Sequence, residues 1–539
     1  MKRRYFFLAM LFLLTVNAVR AELVDFSLRR TLKSGRLTGL CVPFRLEASQ
    51  VDELYAIATI DGYITKIYAV KSVAAGQPCV VKTNSNISML KVESDSILKN
   101  VIGIQPLSWD GGQIEGDGND YSWTYIAPDG KRINSSSMAF LTINLQMMDF
   151  KVNIENYQLR HYLNDVYYDS TSESQVNSYK QGALRLDHPN PVTIPLPLTE
   201  SNSLLLCYSE GNNDFSQADT MIVSTTESVA LLYNLQPQLT YYYKLIDNGS
   251  IVSKGKFTTT GRIRMVYVPN AFNIRDLGGW AIDDGRQTVY GKLFRGSELN
   301  GTYVADSAGL ESLRKLGIEA EIDLRYKNEN EGAGMSPFGF IDNTQTDNEQ
   351  ATYLFTNNFC SQAISLQYTT YLTRLKNIFI FIVNNLRQGR AIYYHCIWGA
   401  DRTGILSMLL EGLLGFSYDQ IMKDYELTSF YPGALKPKEN RDDVFTFIND
   451  FEGNTLKDKF NTFFISKVGV NQKDIDDFRS MMFGEEPMYN CIECGPKIGK
   501  NVVSHYYDLS GRIVDNKAKG LKGLLIERTT NGQVKKYLK

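Results

Sequence analysis

Cys396 and Arg402, with five residues between them, are the two side chains of this sequence whose types and spacing most clearly permit chemistry on a phosphate. They stand in His395-Cys396-Ile397-Trp398-Gly399-Ala400-Asp401-Arg402-Thr403-Gly404, behind the β-prone Ala391-Ile392-Tyr393-Tyr394 and ahead of the apolar run 405–414. Those runs predict a strand, a tight loop and a buried helix, so the loop falls at a helix N-terminus. Unpaired N–H groups and the positive end of the helix dipole favour an anion there. Amides of Ile397, Trp398, Gly399, Ala400, Asp401 and Arg402, curling round one point, would make a nest for the equatorial oxygens of a phosphoryl group. Arg402 can add a planar, two-pronged clamp. The same field is expected to favour the thiolate of Cys396, and so a nucleophile near neutral pH.

A lone cysteine ahead of an apolar helix is often buried filler. Here six specified positions coincide in the right strand–loop–helix context, which argues for function. The pattern His395-Cys396-x-x-Gly399-x-x-Arg402-Thr403-Gly404 resembles the signature loop of the cysteine-dependent protein tyrosine phosphatase superfamily. Asn273-Ile274-Arg275-Asp276-Leu277-Gly278-Gly279, Phe294-Arg295-Gly296-Ser297-Glu298, Ile322-Asp323-Leu324-Arg325 and Asp424-Tyr425-Glu426-Leu427-Thr428 flank it. Their order resembles the bacterial tyrosine/serine phosphatase family, over about residues 265–482.

The resemblance implies hydrolysis of phosphotyrosine-type monoesters, in some members phosphoinositides, through a cysteinyl-phosphate, with no metal and no organic cofactor. It implies that Thr403 hydrogen-bonds the sulfur and that His395 braces the loop rather than taking protons. Two aspartates compete as the general acid. Asp401, inside the loop as in myotubularin-like lipid phosphatases, is preferred; Asp323, at a strand end, could approach from the side or be held in an ion pair. Arg275, Asp276, Arg295 and Arg325 match family motifs and are candidates for touching substrate or supporting the loop. Family members commonly carry lysine where this chain has Ala400. The alanine favours a singly phosphorylated substrate, and Trp398 offers an aromatic wall for a phenyl ring.

Around that centre, 539 residues are too many for one core, so several domains are expected. Met1-Lys2-Arg3-Arg4 and a short apolar run read as a signal peptide over 1–21, so an exported protein is expected. A β-rich module over 22–188 precedes regularly spaced strands over 189–262, a small sandwich. Its stretch Tyr233-Asn234-Leu235-Gln236-Pro237-Gln238-Leu239-Thr240-Tyr241 resembles the late corner of a fibronectin type III domain. The catalytic segment spans 263–486. A β tail over 487–539 resembles the C-terminal sorting domain of type IX secretion, which implies contact with export machinery. The fold class is therefore multidomain: β-rich sandwich modules, then an α/β tyrosine phosphatase-like domain, then a small β tail.

Composition excludes some partners. A formal net charge of −2, well mixed, does not suggest nucleic acid, and no stretch past the leader is long and apolar enough to span a bilayer. Seven cysteines leave an odd one, expected to be the free thiol of Cys396; Cys41 and Cys79 read as buried strand residues and Cys491-x-x-Cys494 as a local disulfide. Four scattered histidines suggest no metal cluster. The expected partner is a phosphorylated protein or small phosphomonoester. An inositol-phosphate or phosphoinositide phosphatase is the alternative within enzymes. A catalytically inactive phosphate-binding surface protein is the other, against which the intact Cys396, Asp401 and Arg402 speak.

Overall fold

Alternating inward and outward side chains build the first half of the chain into β-sheets. In the strand Thr240–Asp247, Tyr241, Tyr243 and Leu245 are buried while Tyr242, Lys244 and Ile246 stay partly exposed. The computed structural model describes residues 23–94, 97, 106–108, 110–143, 149–165, 186–340, 351–431 and 442–485, with four strands beyond residue 500. The leader over 1–21, Cys491 and Cys494, and most of 164–181, whose polar, Ser-rich composition reads as a linker or exposed excursion, lie outside the described residues.

One five-stranded sheet runs Ala139–Thr142, Ile64–Ala69, Glu53–Asp61, Cys79–Lys82, Thr38–Leu40 in spatial order. A second runs Asp149–Asn153, Ser250–Thr260, Thr240–Asp247, Ser203–Glu210, Asp219–Ser224. Both feed one apolar core in which Phe44, Leu54 and Val81 join Phe150, Leu206 and Tyr243. The expected boundary at 188/189 therefore runs through packed structure, because Asp149–Asn153 pairs in parallel with Ser250–Thr260. Cys79 opens a strand as expected; Cys41 sits one residue past one; both are buried.

The boundary at 262/263 also shifts. Helix Tyr157–Asn164 puts Leu159, Tyr162 and Leu163, one face at i, i+3 and i+4, into the core of the catalytic segment. Its Tyr162 hydroxyl donates to Glu426 at 3.2 Å. A short amphipathic helix whose partner surface lies far along the chain falls within the expected β-rich module over 22–188, because its spacing alone does not name that surface.

In the catalytic segment the elements are β1 (Arg275–Asp276), β2 (Leu293–Gly296), α1 (Ser307–Arg314), β3 (Ile318–Asp323), β4 (Tyr353–Phe355), α2 (Thr369–Arg387), β5 (Ala391–His395), α3 (Asp401–Leu414), α4 (Tyr418–Glu426), α5 (Asp442–Asn449), α6 (Leu456–Phe463) and α7 (Gln472–Met482). The sheet order is β1-β2-β5-β3-β4, parallel except for the antiparallel β1-β2 pair. β5 is central and all its residues are buried. A strand covered on both faces needs an unbroken rather than alternating run. On one face Ile322, Ile392 and Tyr394 share a core with residues of α2 and α3; on the other, Ile318, Ala391 and Tyr393 pack with Leu313 of α1 and Phe338. α3 is buried from Thr403 to Leu414 and ends at Gly415, φ 90°. Its N-terminus is thus fixed at the carboxyl end of β5, where open α/β sheets bind ligands.

Residues 487–539 form a separate unit. Four antiparallel strands lie there in the order Ile513–Val514, Ser504–Tyr507, Leu524–Thr529, Val534–Leu538. Among the described residues no helix is long and apolar enough to cross a membrane.

Candidate active site

The turn between β5 and α3 is shaped by where its carbonyls go. His395 Nδ1 lies 3.2 Å from the Cys396 oxygen, and the Glu298 N–H donates to Ile397 O at 3.0 Å. Asn273 Nδ2 donates to the Trp398 and Gly399 oxygens at 3.1 and 3.0 Å, and an Arg295 N–H reaches Gly399 O at 2.9 Å. Ala400 O takes the Gly404 N–H of α3 at 2.8 Å. In a trans peptide the N–H of the next residue points opposite to each carbonyl. Five carbonyls held this way turn the following amides to the other side, the arrangement an anion nest requires. Gly399 makes the turn possible: its φ is 65°, and a Cβ there would fall 2.4 Å from the Gly296 carbonyl.

Beneath the loop lies a charged cluster. Asp424 of α4 accepts from Arg275 Nε at 2.7 Å and from Arg295 at 2.6 Å, all three side chains being buried. Burial alone would raise the Asp424 carboxyl, but the two guanidiniums bring it down to about 2. Burial, with the Asp424 charge beside it, pushes Glu411 well above the ordinary carboxylate range. The Arg275 and Arg295 guanidiniums thus face the Asp424 carboxylate directly beneath the loop.

The structure separates the sequence candidates. Arg275, Arg295 and Arg325 are fully buried and do not line the cavity at the loop, so they support it and do not touch substrate. Arg295 does so directly and Arg275 through Asp424. Arg325 clamps Glu298 at 2.9 Å and Asp323 at 2.8 Å. Asp276 at the end of β1 accepts from the Gly278 and Gly291 amides of the β1–β2 connection at 2.8 and 2.7 Å, and burial raises it to about 6. His395 is buried, with Nε2 2.9 Å from Glu321.

Asp323 is overturned as proton donor. It is buried, paired with Arg325, and accepts from the Gly334 amide at 3.0 Å. Burial would raise its carboxyl, but the neighbouring His395 and Arg325 hold it at about 2, so it carries no proton at neutral pH. A depressed carboxyl stabilises the fold above its unfolded value near 4, and that contribution, about 2 kcal/mol, is lost as pH falls toward 2. Asp323→Asn is therefore expected to lower stability at pH 7 and to flatten the loss of stability between pH 4 and 2. Denaturant melts over that range check it, with the dependence of turnover on leaving group staying as in the wild type.

Cys396, Ile397, Trp398, Asp401 and Arg402 line a cavity of about 450 Å³ together with Tyr326, Glu329, Asn358 and Ser361. The rings of Tyr326 and Trp398 are 49% and 41% exposed, so both stand at the mouth and Trp398 does not pack inward. Arg402 donates both prongs of its guanidinium to Glu329, one at 2.6 Å. Burial would raise Glu329, yet the Arg402 bond brings it below its usual range, so the carboxylate occupies the fork. Two expectations fail. The Thr403 hydroxyl is buried and has no hydrogen-bond partner among the described residues, the Cys396 sulfur included. Ala400 is fully buried and does not line the cavity, so a side chain there would not face a second phosphate. Its part in anion binding is confined to the backbone.

A family model described as the tyrosine phosphatase family matches residues 266–483. A putative tyrosine-protein phosphatase of Cupriavidus necator is 28% identical over 163 residues, 28% of this chain and 59% of that protein. The triple specificity protein phosphatase of Mycobacterium tuberculosis is 31% identical over 191 residues, 29% of this chain and 67% of the relative. The chain belongs to the tyrosine phosphatase family. It spans less than two thirds of the first of these relatives.

Several working residues of this tyrosine phosphatase-family site escaped the sequence reading. Glu321, Glu329, Asn358 and Ser361 carry no spacing that marks them. Asn273, Glu298 and Asp424 stood in quoted motifs but had no role until the loop carbonyls and buried arginines were placed. Asp187 is the least expected: its Oδ2 accepts the Asn273 N–H at 3.0 Å, from a segment outside the family match. Removing that acceptor strands a buried donor, at about 1–3 kcal/mol, and loosens the residue that pins two loop carbonyls. Asp187→Ala is expected to lower the melting temperature and reduce kcat by up to about 10²-fold. Asp187→Asn, which keeps an acceptor oxygen, should recover most of both. An alanine variant with wild-type kcat would remove the link.

Proposed function

We propose that the chain is an exported phosphatase for phosphotyrosine-type monoesters, acting through a cysteinyl-phosphate. The observation that carries this reading is a single cavity with Cys396 and the Arg402 fork inside and the rings of Trp398 and Tyr326 at its mouth. The phosphate dianion takes the loop amides and displaces Glu329 from Arg402. The Cys396 sulfur attacks phosphorus in line, and the bond to the leaving oxygen breaks. Asp401 gives that oxygen its proton. A water, losing a proton to the Asp401 carboxylate, then breaks the S–P bond, releasing phosphate and the thiolate.

The two rings favour an aromatic body on the phosphate over an inositol ring. Phosphoinositides are the second reading, and the name of the mycobacterial relative, a triple specificity protein phosphatase, supports a site that takes more than one class of substrate. The basic-apolar start of the chain supports export, and the tail's short antiparallel strands agree with a sorting role. The Tyr241 hydroxyl, accepting the Gln236 N–H at 2.8 Å, agrees with a fibronectin-like corner. The deciding experiment compares kcat/KM on phosphotyrosine peptides, phosphoserine peptides, inositol phosphates and phosphoinositides, beside cell fractionation. A preference for the inositol compounds would replace the first reading with the second.

A further inference from the structure

The face of the second five-stranded sheet turned away from its core carries a cavity of about 420 Å³ that plays no part in the chemistry above. Phe215, Tyr242, Lys244, Lys254, Lys256 and Asp149 line it. Lys244 and Lys254 are direct partners across two antiparallel strands. Like charges opposite each other cost stability, so the pair is unfavourable unless something anionic meets it. Asp149, the acid in the lining, is held by Lys256 at 2.9 Å. Lys244 lies 4.4 Å over the Phe215 ring, a contact that positions the ammonium without neutralising it.

We propose that this cavity binds an acidic oligosaccharide. Lys244 and Lys254 are about 5 Å apart by strand pairing, and Lys254 and Lys256 about 7 Å along one strand. The opposed Lys244–Lys254 pair, with Lys256 already held by Asp149, suits anionic groups carried on an extended ligand. Tyr242 and Phe215 supply flat apolar surface for the C–H face of a pyranose. Ammonium groups, as rotatable point donors, serve both the carboxylates and the hydroxyls of such a ligand. An acidic peptide would meet the lysines but offers no pyranose face to Tyr242. The ligand would hold the enzyme on an acidic glycan surface while the catalytic loop stays free.

The test titrates the full chain by calorimetry at low salt with a galacturonate hexamer, a sulfated hexasaccharide, a neutral hexasaccharide and hexaglutamate. Binding of either acidic saccharide at least tenfold tighter than both the neutral sugar and the peptide is expected, weakening as salt rises. Lys244→Ala with Lys254→Ala, and separately Tyr242→Ala, should each lower that affinity tenfold or more with aryl-phosphate turnover unchanged, and the unliganded lysine double variant should melt no lower than the wild type. Binding of hexaglutamate as tight as the saccharides, no binding of either acidic saccharide, or unchanged affinity in the folded variants would each overturn the proposal.

Discussion

Cys396→Ser is expected to cut turnover of aryl phosphates by on the order of 10⁴-fold or more while the protein still folds. The hydroxyl is a far weaker nucleophile and has almost no ionised fraction at neutral pH. The loop itself is held by Asn273, Arg295, Glu298 and His395 through backbone oxygens, none of which needs the sulfur. Arg402→Lys should fall nearly as far, since one ammonium cannot reproduce the two-pronged contact now made to Glu329. Turnover with a chromogenic aryl phosphate, beside thermal melts of each variant, decides it. Appreciable activity in a folded serine variant would end the cysteine mechanism.

Asp401→Asn should lower turnover of phenyl and alkyl esters by about 10²- to 10⁴-fold and barely affect esters with good leaving groups. Asp401 lines the same cavity as Cys396, whereas Asp323 is held at about 2 by its neighbours and lies outside it. A leaving group that departs readily as an anion does not need the proton. A plot of log kcat/KM against leaving-group pKa should therefore steepen in the variant. An equal loss on both ester classes would deny Asp401 the role.

The loop was legible because its chemistry is local. Cysteine, glycine and arginine at fixed spacing, with an apolar strand before and an apolar helix after, leave few other readings. The sheet and the burial of α3 followed from the same runs. What stayed hidden depends on contacts between distant segments. Arg275 and Asp323 look alike in sequence as charged residues in motifs; only the positions of Asp424 and Arg325 show both to be buried in ion pairs. Ala400 was misjudged because the side on which a loop residue's Cβ emerges is set by backbone geometry that spacing does not encode. Thr403 misled in the same way.

Leu159, Tyr162 and Leu163 carry a practical consequence. They fill part of the catalytic core from a helix more than a hundred residues ahead of where the family match begins at 266. Cutting a fragment at the family limits would open an oily socket beside Glu426 and leave Asn273 without its Asp187 acceptor. Such a trimmed enzyme should be sticky and short-lived in solution. The strand Asp149–Asn153 that leads into this helix packs in the core shared with Leu54 and Val81, so domain swaps or fusions designed from the family borders would inherit a damaged site.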